Sequence, residues 1–167
     1  MFKKIKNKNL LILLFASSAF ALILAYISQY IFGLEPCILC LDQRKPFFAI
    51  IATSALTLTY FKSEKSKKNA LYLCTILLVI NFALATYHSG VEKKIFRGPT
   101  TCSSQNLNEI DNIEDLKIAL NETKVIRCDE PSFFFLGLSM ANWNALYCLM
   151  LISYIAFIRI KRRSTLL

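Results

Sequence analysis

The stretch Glu35-Pro36-Cys37-Ile38-Leu39-Cys40-Leu41-Asp42-Gln43-Arg44 sets two cysteines three residues apart, with an arginine four residues beyond the second. Thiols at that spacing suit disulfide exchange, because the second can displace whatever the first one binds. A disulfide between them would close too small a loop to stabilise the chain much through entropy, so a purely structural staple explains the pair poorly. The thiolate is the attacking species, and a neighbouring cation lowers a thiol pKa. If residues 40 to 44 are helical, Cys40 and Arg44 share a face, and the helix N-terminus adds positive potential there. The plainer account of Arg44 is an arginine snorkelling to a membrane interface.

The elements that must hold this stretch are apolar. Of 167 residues 55% are hydrophobic, with only four Gly and four Pro, and they fall in blocks: Leu10 to Ile31, Ala70 to Tyr87, Ala141 to Ile158 and the shorter Pro46 to Phe61. Sixteen residues of helix reach about 24 Å, short of a hydrocarbon core of roughly 30 Å. Starting the second helix near Leu41 closes the gap and leaves Cys37 and Cys40 at the membrane surface, with Asp42 as a possible cap and Pro46 as an interruption of the first turns. The expected architecture is a single all-α integral membrane domain over residues 1–167. Its helices run from about 10–31, 41–61, 70–87 and 141–160, with two cysteine-bearing loops over about 32–40 and 88–140. Ala19-Phe20-Ala21 has the form of a signal cleavage site, but cleavage would strand the apolar run Leu22 to Phe32, so the first helix is read as retained.

The net charge of +9 does not indicate nucleic acid, because of where it lies. Lysines crowd the N-terminus and the turn Lys62 to Asn69, and Arg159, Lys161, Arg162 and Arg163 follow Ile158, whereas the Cys-x-x-Cys turn is neutral and Val91 to Glu130 carries eight acids and six bases. The positive-inside bias then puts both termini in the cytoplasm and both cysteine-bearing loops outside. The second loop is long enough to suggest function. Within it, Ile110, Ile113, Leu116 and Leu120 recur at helical spacing, which predicts a short amphipathic helix, lying on the membrane or packed on its own loop. Phe133 to Leu138 is too short to span and is expected in the interface before Trp143.

Topology sorts the six cysteines. Cys74 and Cys148 lie inside apolar segments and read as small packing residues. Cys37, Cys40, Cys102 and Cys128 all fall on the outer side, where an oxidising compartment favours disulfides. Exchange is the leading reading for these four, and structural staples are the alternative. Zinc is set aside because structural sites usually draw ligands from two close pairs, and Cys102 and Cys128 stand twenty-six residues apart.

Pro36-Cys37-x-Leu39-Cys40-x-x-x-Arg44, the outer cysteines Cys102 and Cys128, and Cys128-Asp129-Glu130 leading to Phe135-Leu136-Gly137-Leu138-Ser139-Met140 and Trp143 resemble the disulfide bond formation protein B (DsbB) family, from about Leu10 to Ile160. The resemblance implies a four-helix bundle in the bacterial inner membrane, working as a protein dithiol:quinone oxidoreductase. A reduced periplasmic DsbA-like thiol oxidase would attack a Cys102–Cys128 disulfide at Cys102. Electrons would pass to Cys37 and Cys40 through a transient Cys37–Cys128 bond, and Cys40 would donate to a bound quinone, ubiquinone or menaquinone, with Arg44 close to the ring. A paralogue with a dedicated partner, or a non-catalytic membrane protein with structural disulfides, are the other readings, and a monomer is expected. Gln43 departs from the acid that some members carry there. His88 lies near a histidine that relatives link to the quinone site, but reads slightly better as a polar interfacial residue. Glu92 and Arg97 read as a solvated loop face.

Overall fold

A computed structural model describes residues 6–99, 127–131 and 133–164. Four helices make up almost all of it: α1 (Asn7–Tyr30), α2 (Ile38–Tyr60), α3 (Glu64–Glu92) and α4 (Met140–Ser164). Three of them, over Asn7–Tyr30, Glu64–Glu92 and Met140–Arg162, are long and apolar enough to cross a membrane. α2 has 23 residues, about 35 Å of helix, but Asp42, Arg44 and Lys45 dilute its apolar character at one end. Large apolar side chains such as Phe20, Ile23, Ile76, Val79 and Met150 are exposed on the helix surfaces, as lipid-facing positions should be.

Local chemistry fixes the helix starts. α2 begins at Ile38 because Cys37 caps it, its sulfur accepting from the Cys40 N–H at 3.4 Å. Asp42 is therefore no cap; it lies in the second turn and pairs with Lys45 at 2.6 Å. Pro46 sits inside the helix, where its missing N–H removes the bond to the residue-42 carbonyl. α3 starts at Glu64 and not near residue 70, because Ser63 caps it, accepting from the Lys65 N–H, and Glu64 pairs with Lys67 at 2.9 Å. Its first turns run through the basic connection.

α3 is the central helix, packing on α1, α2 and α4. The main core joins Leu10, Leu14 and Leu22 of α1, Ile50 of α2, Leu71 and Leu78 of α3, and Leu151 and Ile155 of α4. Cys74 and Cys148, free thiols with no exposed surface, pack inside it. Two polar ties join α4 to α1: the Tyr147 hydroxyl donates to the Ser17 carbonyl at 2.9 Å, and Arg162 donates to Asn7 at 2.6 Å.

Beyond α3 the chain turns back. The Phe96 ring lies against Gly90, where a Cβ would come within 2.3 Å of it, and stacks on Tyr87 at 5.8 Å. The Tyr87 hydroxyl donates to the Arg97 carbonyl at 2.8 Å. Before α4, β1 (Phe134–Phe135) and β2 (Leu138–Ser139) form an antiparallel hairpin. Leu136 and Gly137 make its turn with φ of 50° and 78°, as a two-residue loop with both central residues left-handed requires. Trp143 braces the hairpin, its indole N–H donating to the Phe135 carbonyl at 3.0 Å. Cys102 and the expected helix over Ile110 to Leu120 lie outside the described residues.

Candidate redox site

Cys37 ends the α1–α2 connection and Cys40 lies in the first turn of α2, with their sulfurs 3.3 Å apart. A disulfide would bring them to about 2.05 Å; the pair is a free dithiol. Cys37 is buried beside Leu39, Val91 and Cys128, with Cys40 and Tyr87 packed against the group. Cys128 is 2% exposed and disulfide-bonded. Residues ninety-one positions apart in sequence, Cys37 and Cys128, thus share one small apolar cluster.

Polar groups surround this dithiol. His88 Nε2 lies 3.5 Å from the Cys37 sulfur. The Gln43 amide nitrogen lies 2.8 Å from His88 Nδ1, and the Gln43 carbonyl oxygen accepts from the Asn144 amide at 2.6 Å. Glu92 Oε1 is 3.8 Å from His88 Nε2, and the other oxygen of that carboxylate accepts from the Ser139 hydroxyl. Ser139 in turn accepts from Asn142, which accepts from Ser89 at 2.6 Å. α2, α3 and α4 are joined by this network around one imidazole.

The Cys40 thiol, as donor to the Cys37 sulfur, is the main reason that Cys37 titrates far below the usual thiol range, at about 4. Burial opposes that shift, while the hydrogen bond from His88 and its charge reinforce it. Cys37 precedes the first residue of α2 and lies outside the apolar helices.

Arg44 faces α1. Its guanidinium donates to Gln29 at 2.7 Å and to the Ala25 carbonyl at 3.5 Å, and lies 5.0 Å above the Tyr26 ring. Cys40, Arg44 and His88 all line one cavity of about 820 Å³. Phe20, Leu24, Phe47 and Trp143 form part of its largely apolar remainder. A flat, apolar ring with two carbonyl oxygens fits such a space, since the volume is in the ordinary range for ligand pockets and a few polar groups line otherwise apolar walls.

Three residues of this site make contacts that the sequence alone did not assign to them. His88 is 3% exposed and faces Cys37. The Glu92 side chain is 7% exposed and turned toward His88 and Ser139, not on a solvated face. Gln43 is a buried link between two helices. Spacing held a signal for each: Gln43 follows Cys40 by three residues and Glu92 follows His88 by four, so each pair lies on one helix face. Asn144 stands in an apolar segment, where a polar side chain is costly without a partner.

Apolar helices holding a largely buried dithiol beside an apolar cavity define an α-helical membrane protein equipped for thiol–disulfide chemistry. The family model described as "Disulfide bond formation protein DsbB" matches residues 7–158, and the chain belongs to that family. It is also 32% identical over 157 residues to Uncharacterized protein RP370 of Rickettsia prowazekii (strain Madrid E), covering 93% of this chain and 90% of that protein.

Proposed function

We propose that the chain is an inner-membrane thiol:quinone oxidoreductase that reoxidises a periplasmic DsbA-like dithiol oxidase. The observation that carries this reading is that Cys37 packs in one cluster with Cys128 and, with Cys40 and Arg44, also lines the cavity. The reading takes α2 as a fourth crossing. It puts the basic ends and the Lys62 to Asn69 turn in the cytoplasm and the cysteines in the periplasm, in keeping with the positive-inside bias. The protein works as a monomer.

Cys128 is bonded, Cys37, Cys40, Cys74 and Cys148 are free, and Cys102 completes the outer pair in this proposal. A partner thiolate attacks Cys102, breaking the Cys102–Cys128 bond and leaving a mixed disulfide and a Cys128 thiolate. The partner's second thiol then releases its own disulfide and a reduced Cys102. Cys128 attacks Cys37 of an oxidised Cys37–Cys40 pair, expelling the Cys40 thiolate. Cys102 displaces Cys37 from Cys128, so the outer disulfide reforms and the inner dithiol holds the two electrons. A quinone, when bound, accepts two electrons and two protons. Cys40, Arg44 and His88 are the residues that would hold its polar edge, and the apolar walls would hold the rest and exclude water.

Quinone absorbance in liposomes, followed after adding a reduced periplasmic thiol oxidase, tests this. Quinone should be consumed with the native chain and not with Cys40→Ser or Cys102→Ser. No consumption with ubiquinone or menaquinone, while the helices stay intact, would leave a non-catalytic membrane protein with structural disulfides.

A further inference from the structure

The reduced dithiol is not alone at its end of the bundle. One nitrogen and two sulfurs from two helices and the connection before α2, namely His88 Nε2, Cys37 Sγ and Cys40 Sγ, all lie within 4.8 Å of one another. Tetrahedral coordination at zinc bond lengths would separate two sulfurs by about 3.8 Å and a sulfur from a nitrogen by about 3.6 Å. The corresponding separations are 3.3 Å between the sulfurs and 3.5 Å from Cys37 to His88. We infer that the reduced Cys37–Cys40 pair and His88 form a binding site for a thiophilic cation of the zinc class, which holds the dithiol out of turnover while bound.

The surroundings complete such a site. Metal-bound imidazoles generally have their other ring nitrogen hydrogen-bonded, which fixes the ring; His88 Nδ1 has the Gln43 amide at 2.8 Å, itself tied to Asn144. Turning both amides over would present the Gln43 oxygen to an Nδ1–H, which frees Nε2 as the ligand atom. The Glu92 carboxylate comes within 3.8 Å of Nε2 but is not one of the groups that close on both sulfurs, so the fourth position is left to water, as in open zinc sites. Arg44 is engaged with Gln29 and Tyr26 of α1. Such a site does not need a second close cysteine pair. The histidine comes instead from a helix fifty-one residues away.

Binding replaces whatever thiol protons the reduced pair still holds with one divalent ion and involves no electron transfer. Soft thiolates favour zinc and cadmium over the magnesium or calcium that oxygen sites select. The oxidised pair has no thiolate to offer, so only the electron-loaded state binds. The inhibitory consequence rests on the proposed quinone reductase activity; the binding itself does not.

The test uses the full-length chain in detergent, reduced, freed of reductant without air, and titrated with Cd²⁺. One ion per chain is expected, with thiolate-to-cadmium charge-transfer absorption that survives in Cys102→Ser/Cys128→Ser and disappears in Cys40→Ser. His88→Gln should weaken binding about tenfold or more, with unchanged helical circular dichroism. Absence of absorption in the outer-pair variant, or an unaltered affinity in His88→Gln, would overturn the site. In liposomes Zn²⁺ should slow quinone consumption and a chelator should restore it; undiminished turnover with the ion bound would overturn the inhibition. Cadmium binding without turnover under any condition would count against the quinone reductase reading and leave the metal site standing.

Discussion

His88 Nδ1 and the Gln43 amide nitrogen are 2.8 Å apart, so the ring beside Cys37 is held by a residue of a different helix. The Gln43 oxygen accepts from Asn144 at 2.6 Å, and one amide therefore locks α2 to α3 and α4. Gln43→Ala would leave buried groups on both neighbours unpaired, at a cost of about 1–3 kcal/mol. Equilibrium unfolding in detergent should show that loss, and quinone consumption should slow because the ring loses its orientation. A variant as stable as the native chain would show that water replaces the amide.

Cys37 should remain reactive in acid. Its thiol titrates at about 4, chiefly because Cys40 donates to it, whereas an ordinary thiol near 8.5 loses about tenfold in thiolate for each pH unit below that value. Iodoacetamide labelling of reduced Cys37, located by mass spectrometry, should therefore change little between pH 8 and pH 6 and fall only as pH approaches 4. A depressed folded pKa contributes stability that is fully present above the unfolded thiol value and is lost as pH falls through the folded one. Cys40→Ala removes the main cause and should move the labelling profile to higher pH; an unmoved profile would shift the credit to His88.

Arg44→Met should raise the KM for quinone and leave the outer disulfide as reactive as before toward the partner. A charge-assisted hydrogen bond is worth about 1.5–3 kcal/mol, or roughly ten- to a hundredfold in affinity. Unchanged turnover across a full quinone titration would confine Arg44 to tying α2 to α1 through Gln29 and Tyr26.

Asn81, on α3, has no exposed surface, and among the described residues neither polar atom of its amide finds a hydrogen-bond partner. Asn81→Leu exchanges that uncompensated burial for apolar packing of similar size. Thermal unfolding should show a gain of about 1–3 kcal/mol. A loss would mean that the space around Asn81 is too tight for a branched side chain.

Much of the frame was legible in the sequence. The blocks around Leu10 to Ile31, Ala70 to Tyr87 and Ala141 to Ile158 mark the three helices able to cross a membrane, since length and composition alone decide that. The thiols declare themselves by spacing. The polar shell was less visible, because His88, Glu92 and Asn144 matter through contacts across helices, and a single sequence shows only which face of its own helix a residue occupies. Glu92 looked solvated since charged residues near a loop usually are. Only the chain folding back through Phe96, and Ser139 approaching from the hairpin, bury it. Asp42 looked like a cap because cysteine is seldom considered one, yet the Cys37 sulfur fills that role five residues earlier.

The shared burial of Cys37 and Cys128 sets a clock for the proposed relay. Sulfurs in separate bodies would have to wait for a segment to swing, a motion of nanoseconds to microseconds or longer. Sulfurs in one packed cluster trade bonds by turning side chains in place. In the proposed relay the handover from Cys128 to Cys37 would then need no search by a distant segment, and that search would fall to the soluble partner.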